Sequence, residues 1–175
     1  GNFPQDWEWR TNRADTDVLD TYKRLTLEAA KSKPDLIIWP EYAIPKDILL
    51  HKDLYAKISN LALEVNANLI FGSLVNAERS DPQKNYEWDT AFVFSRKGEM
   101  IGRYDSVIPF PYKNWVIKGN ALPIIETDIG KFGIAMCYEE NFGNIFRKYR
   151  KSGAQFFITL ANDKPINNQK IMAGK

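Results

Sequence analysis

The chain has 175 residues, 44% of them apolar and 26% charged, with 24 basic against 22 acidic side chains; this is the composition of one globular domain, or most of one, and not of a disordered chain. One Cys and one His exclude a disulfide framework and make a zinc site untenable. The basic pairs Lys23-Arg24, Arg147-Lys148 and Arg150-Lys151 are scattered, so no basic stripe points to a nucleic-acid partner.

The longest apolar runs are far shorter than a bilayer span, and no basic-then-apolar leader opens the chain. Periodicity switches repeatedly between helix and strand. Asp15 to Lys31 reads as a helix, with Val18, Tyr22, Leu25 and Ala29 on one face. Asp15 or Asp17 can cap it, and Lys33-Pro34 stops it. Leu36 to Trp39 is a continuous apolar run, which suits a strand buried on both faces. A second helix is predicted from Lys46 to Val65, and a second buried strand from Leu69 to Val75. Residues 76–88 are polar and read as a surface loop. Thr90 to Phe94 and Met100 to Tyr104 flank Arg96-Lys-Gly98 as a hairpin. A second hairpin pairs Leu122 to Thr127 with Phe132 to Met136 and turns at Ile129-Gly130-Lys131. Phe142 to Lys151 is helical, Gly153 suits its C-terminal cap, and Gln155 to Leu160 is a last strand. This order implies an α/β layered sandwich with mixed sheets.

Two residues sit where such sheets place their chemistry, just past the carboxyl ends of strands. Glu41 follows Trp39-Pro40, and Cys137 follows the strand that ends at Met136. A thiol needs a base to become a nucleophile, and a buried carboxylate can serve. The backbone N–H of Tyr138 would then point to where an oxyanion forms. Spacing alone favours the plainer reading, a buried structural cysteine and a solvated glutamate.

The wording around these residues is more specific. Asp35-Leu-Ile-Ile-Trp-Pro-Glu41 and Gly133-Ile-Ala-Met-Cys-Tyr-Glu139 resemble the glutamate and cysteine motifs of the carbon–nitrogen hydrolase (nitrilase) superfamily. Phe142, Arg147, Gly153-Ala154, Phe157-Ile158 and Asn162-Asp163 fit the stretch that follows the cysteine there. Within the superfamily, Gly1-Asn-Phe-Pro-Gln-Asp6, Trp9, Tyr22 and Leu25-Thr26 are similar to the start of the periplasmic domain of the apolipoprotein N-acyltransferases. The resemblance implies an αββα sandwich and a Glu–Lys–Cys triad, with Glu41 as general base, Cys137 as nucleophile and Glu139 as a second carboxylate near the site. It implies no cofactor. In the acyltransferase branch a phospholipid acyl chain passes through a cysteine thioester to the α-amine of a lipoprotein. Phospholipid and lipoprotein would then be the partners, and the extracytoplasmic face of the membrane the location. In the amidase branches water releases the thioester. Family members also associate through helices beside the site, so the resemblance allows a homodimer.

The sequence departs from the family pattern in three places. Where the family has Tyr-x-Lys, Tyr104-Asp105 is followed by Ser106, so the catalytic lysine is not found. Lys113 and Lys118 lie in the next segment, where either could reach the site, but both read more readily as surface lysines. That segment, from Tyr104 to Gly119, is short, and Pro109-Phe-Pro-Tyr112 lacks the acidic residue of the acyltransferase branch. The ends look cut, so the expectation is an incomplete domain over residues 1–163, with terminal strands missing and a tail over 164–175. Three readings follow: an N-acyltransferase domain, a small-amide hydrolase of the same fold, and an inactive pseudoenzyme. Phe110, Pro111, Tyr112 and Trp115 would line a lipid-facing mouth in the first reading, or simply pack a loop.

Overall fold

A computed structural model describes residues 15–77, 86–111 and 113–162. The capping side chains of Asp15 and Asp17, the opening Gly1 to Trp9, most of the 76–88 loop, Tyr112, Asp163 and the 164–175 tail lie outside the described residues.

Helix α1 (Asp15–Ala30) leads into strand β1 (Leu36–Ile38), and helix α2 (Lys52–Val65) into β2 (Asn68–Asn76). Strands β3 (Glu87–Phe94) and β4 (Met100–Asp105) form the first predicted hairpin. Strands β5 (Ile125–Thr127) and β6 (Gly130–Met136) form the second. A 3-10 turn over Cys137–Asn141, helix α3 (Gly143–Lys151) and strand β7 (Phe156–Leu160) follow. The strands make a four-stranded sheet, β1-β2-β3-β4, and a three-stranded sheet, β5-β6-β7. Both are mixed: β1 runs parallel to β2, and β6 parallel to β7, while the other pairs are antiparallel.

The alternation of side chains along the strands creates the layers. Leu69, Phe71 and Val75 of β2 join Phe92 and Phe94 of β3 beneath Val18, Leu19 and Tyr22 of α1 and Leu54, Ile58 and Leu61 of α2. On the opposite face Ile70, Ala91, Val93 and Tyr104 meet Phe132, Ile134, Met136, Ile158 and Leu160 of the second sheet. Ile145 and Tyr149 of α3 cover the far side of that sheet. The layer order is therefore helices, sheet, sheet, helix. Gly133 is what lets α3 sit so close, since a Cβ there would lie 2.3–2.5 Å from the Tyr149 ring.

Several readings differ from expectation, among them the start of β3 at Glu87, inside the stretch read as a loop, and of β5 at Ile125 and not Leu122. Strand β1 is not buried on both faces: it is the outer strand of its sheet, and Ile38 is 47% exposed. Helix α2 starts at Lys52 and not at Lys46, because the Asp47 carboxylate accepts the N–H groups of Leu49 and Asn76 and holds that stretch as a turn. The second hairpin turns at Asp128-Ile129, with Gly130 and Lys131 already in β6.

Candidate active site

Glu41 is delivered to the sheet end by the backbone on both sides of it. Trp39 N–H bonds to Ile70 O, Gly72 N–H to Pro40 O, and Ile44 N–H to Gly72 O, so the segment after β1 stays laced to β2. Trp39 is itself held by α1: its indole N–H donates to Thr26 Oγ1 at 2.9 Å, and its ring stacks on Tyr22. Glu41 and Tyr42 then bulge over Gly72, where a Cβ would meet Glu41 Cα at 2.6 Å and Tyr42 N at 2.7 Å. Only glycine leaves that space. The Glu41 side chain is 1% exposed.

Cys137 opens the 3-10 turn at the end of β6 with φ 42°, and Tyr42 has φ 54°. Left-handed backbone at non-glycine residues is strained and is retained where the surroundings hold it. Here it sets the half-buried Cys137 thiol beside the Glu41 carboxylate, near enough for that charge to act on it. Burial first, then the charge of Glu41, push the thiol up to about 12, while Lys113 and the Asn162 N–H act to lower it. The Asn162 N–H, just past β7, also donates to Glu41 Oε2 at 3.2 Å.

Lys113 is not a surface lysine. Its ammonium stands 3.2 Å from Glu41 Oε1 and donates to the Tyr42 hydroxyl, and its side chain is 17% exposed. The ammonium also lies 4.2 Å from the centroid of the Tyr42 ring. The segment after β4 therefore carries into the cluster the cation that is absent at Ser106. Ser106 is 1% exposed and donates to Glu139 Oε1 at 3.0 Å. The sequence offers a weak signal for Lys113: it is a lone lysine among aromatic and proline residues between two stretches that meet at the site.

Asp89 was not anticipated. It lies on the β3 face that carries Ala91 and Val93 between the sheets, and it is 3% exposed. Tyr42 OH donates to its Oδ2 at 2.7 Å, and Lys113 Nζ lies 4.0 Å from the same oxygen.

Glu139 does not join this cluster. Its fully buried carboxylate accepts from Tyr104 OH, Ser106 Oγ and the N–H groups of Val107, Ile108 and Met136, at 2.7–3.0 Å. It fastens the start of the Lys113-bearing segment to the Cys137 turn. Burial first, and then the Glu139 charge, drive the Tyr104 hydroxyl upward from its ordinary value. The Tyr138 ring packs edge-on against Phe110 and Phe142, closing the segment over the turn from outside. The Tyr138 N–H belongs to the first residues of that turn, whose N–H groups lack intrahelical acceptors. Phe110 is 36% and Trp115 43% exposed at the rim.

Fold and site together define an αββα sandwich with a carboxylate, an ammonium and a thiol gathered at the strand ends. The carbon-nitrogen hydrolase family model matches residues 5–173, and the chain belongs to that family. The apolipoprotein N-acyltransferase of Geobacter metallireducens is 27% identical over 183 residues, spanning 93% of this chain and 34% of that protein. The formamidase of Nitratidesulfovibrio vulgaris is 23% identical over 155 residues, spanning 81% of this chain and 46% of that protein. Among solved structures, the carbon-nitrogen hydrolase of Helicobacter pylori G27 superposes with a TM-score of 0.71 at 20% identity, over 85% of this chain and 56% of that one. A mutant amidase of Nesterenkonia sp. AN1, bearing the product of Michael addition of acrylamide at its active site cysteine, gives 0.67 at 16% identity, over 83% and 61%. The nitrilase fold is thereby shown. The chain spans about a third of the acyltransferase it matches, 34%. No helix among the described residues is long and apolar enough to cross a membrane.

Proposed function

We propose that this domain transfers acyl groups through a Cys137 thioester, with Glu41 as general base and Lys113 in the place of the family's lysine. The observation that carries this reading is a buried carboxylate that holds the Lys113 ammonium at 3.2 Å and whose charge reaches the Cys137 thiol. A thiol at about 12 is not a thiolate at neutral pH. The chemistry therefore runs by general-base catalysis. As Sγ bonds to the substrate carbonyl carbon, the thiol proton moves to Glu41 and the carbonyl π pair moves to its oxygen. Lys113 and the Tyr138 N–H face the charge that develops there. The intermediate collapses by breaking the bond to the leaving group, which takes the proton from Glu41. An acceptor then repeats the sequence in reverse and frees the thiol. Glu139 acts through others in this scheme: it positions the segment that carries Lys113.

For the substrate we favour a phospholipid ester as donor and the α-amine of a lipoprotein as acceptor, at the extracytoplasmic face of the membrane. The likeness to the Geobacter acyltransferase over 93% of the chain supports this choice. So do Phe110 and Trp115, two exposed aromatics that flank Lys113. The test incubates the full chain with phospholipid vesicles and follows the mass of Cys137. A hydroxylamine-sensitive acyl adduct that passes to a diacylglyceryl-cysteinyl peptide supports the proposal. Acyl release to water, with the peptide untouched, converts it to an amidase-type hydrolase. Absence of any adduct with esters and amides alike refutes acyl transfer and leaves a pseudoenzyme. Lys113→Met is expected to slow adduct formation by ~10²–10³-fold, the loss typical of an oxyanion donor.

A further inference from the structure

Two buried carboxyl groups face each other in the site, and only one of them has a role in the scheme above. Asp89 Oδ2 receives the Tyr42 hydroxyl, but Asp89 Oδ1 is buried with no donor among the described residues. The Glu41 carboxyl is its neighbour: one ammonium, Lys113 Nζ, stands 3.2 Å from Glu41 Oε1 and 4.0 Å from Asp89 Oδ2. Two ionised carboxylates cannot hydrogen-bond to one another, and an unpartnered buried carboxylate oxygen is costly. A single proton between them removes both problems.

We propose that Asp89 is a positioning residue that keeps a proton and donates it in a hydrogen bond to Glu41, so that the site works with one carboxylate and one ammonium. The charged and titratable groups facing Asp89 are Glu41, Lys113 and Tyr42. Burial and the Glu41 charge favour the protonated form, while Lys113 and the Tyr42 hydroxyl oppose it; the net direction is well above the ordinary carboxyl range. Charge counting agrees. With Asp89 neutral, Glu41 and Lys113 cancel. With Asp89 ionised, an excess negative charge sits in a closed space beside a thiol that must itself become negative. Asp89 also ties Glu41 to Lys113 through Tyr42, because Lys113 donates to Tyr42 and Tyr42 donates to Asp89. The proton on Asp89 stays there through the acyl transfer; the proton that moves is the thiol's, carried by Glu41. The catalytic part of this proposal rests on the acyl-transfer reading, whereas the shared proton does not.

Infrared spectroscopy of the full chain tests the proton directly. At neutral pH the protein should show the C=O stretch of a protonated carboxyl group, shifted in D2O. Asp89→Asn should remove the band. Glu41→Gln removes the Glu41 charge but not the burial that also holds the proton, so the band should persist and disappear at a lower pH than in the wild type. A wild type without the band, or a band that survives Asp89→Asn, overturns the proposal. The pH profile of kcat/KM supplies a readout that a structural role would not move. Asparagine is a neutral stand-in that donates to Glu41 and accepts from Tyr42. Asp89→Asn should therefore keep activity within about threefold and lose the fall at alkaline pH that the pair's second ionisation causes in the wild type. A folded Asp89→Asn protein with activity down a hundredfold or more, on the order of a lost charged partner, shows instead that the ionised form is needed and overturns the proposal. If no thioester forms on Cys137 but the band behaves as described, the acyl-transfer reading falls and the shared proton stands. If the thioester forms and the band is absent, the reverse holds.

Discussion

The Cys137 thiol gives the sharpest test, because its two charged neighbours act on it with opposite signs. Burial is the largest cause of its rise to about 12, followed by the charge of Glu41, and Lys113 pulls the other way. At about pH 8 an ordinary cysteine near 8.5 is roughly a quarter thiolate, whereas a thiol at about 12 is ~10⁻⁴ thiolate. Alkylation by iodoacetamide should then run ~10³-fold slower than for an unperturbed cysteine, and it should still be rising with pH where a free thiol has levelled off. Glu41→Gln removes that charge and leaves Lys113 and the Asn162 N–H in place, so the thiol should move down and alkylation at that pH should speed up. The same variant should lose acyl transfer. Lys113→Met should move the thiol further up and slow alkylation again. Stopped-flow or mass-resolved labelling across pH measures all three proteins. A wild-type rate that levels off near pH 7 would show a preformed thiolate–ammonium pair, and the general-base argument would be wrong. Slower labelling in Glu41→Gln would refute the claim that the carboxylate opposes ionisation.

Three further outcomes follow from packing and charge. Glu139→Ala leaves its hydrogen-bond donors buried without an acceptor and should cost about 3–5 kcal/mol in urea unfolding, with Lys113 displaced and acyl transfer lost as a consequence; a loss under about 1 kcal/mol would show that the segment does not depend on it. Gly133→Ala places a methyl group 2.3–2.5 Å from the Tyr149 ring, an overpacking expected to cost about 1–3 kcal/mol or more, and a Gly133→Ala/Tyr149→Leu double variant should recover part of it. Asp89 is raised in the folded protein, so its contribution to stability is fully present below the unfolded carboxyl value of ~3.9 and is lost as pH rises through the folded value. Urea midpoints of the wild type should therefore decline from acid toward alkaline pH, and Asp89→Asn should flatten that decline; parallel curves for the two proteins would contradict the assignment.

What the sequence disclosed, and what it withheld, divides along physical lines. Strand and helix periodicity reported the layers because each face of β2, β3 and β6 meets a different apolar layer, and that alternation is written directly in residue order. The run at Leu36 to Trp39 misled, since four apolar residues in a row do not say whether a neighbouring strand covers them, and Ile38 is left half exposed. Glu41 and Cys137 were legible because each directly follows a strand and inherits its position from a rigid element. Lys113 was not, because it reaches the site from a loop, and a loop lysine has no periodicity to mark which way it points. Asp89 was hidden for the opposite reason: it lies in a regular strand, and only the approach of the Glu41 bulge across Gly72 turns an ordinary strand position into part of the site.

The displacement of the lysine also explains why Ser106 is tolerated. On the acyl-transfer reading a cation is needed near the thiol and the Glu41 carboxylate, but nothing requires it to project from the end of β4. Once Lys113 arrives from further along the segment, the position after Asp105 is free to serve the backbone, and Ser106 does so by binding Glu139. Restoring a lysine by Ser106→Lys should therefore harm the protein. The new ammonium would replace a hydroxyl that is 1% exposed, crowd the Glu139 anchor and place a second cation near the cluster, where Lys113 already balances Glu41. Ser106→Lys/Lys113→Met tests the alternative that the two positions are interchangeable. Full activity in that double variant would show that the cluster accepts its charge from either place, whereas loss of activity in both variants would show that the fold of this segment is built around Lys113.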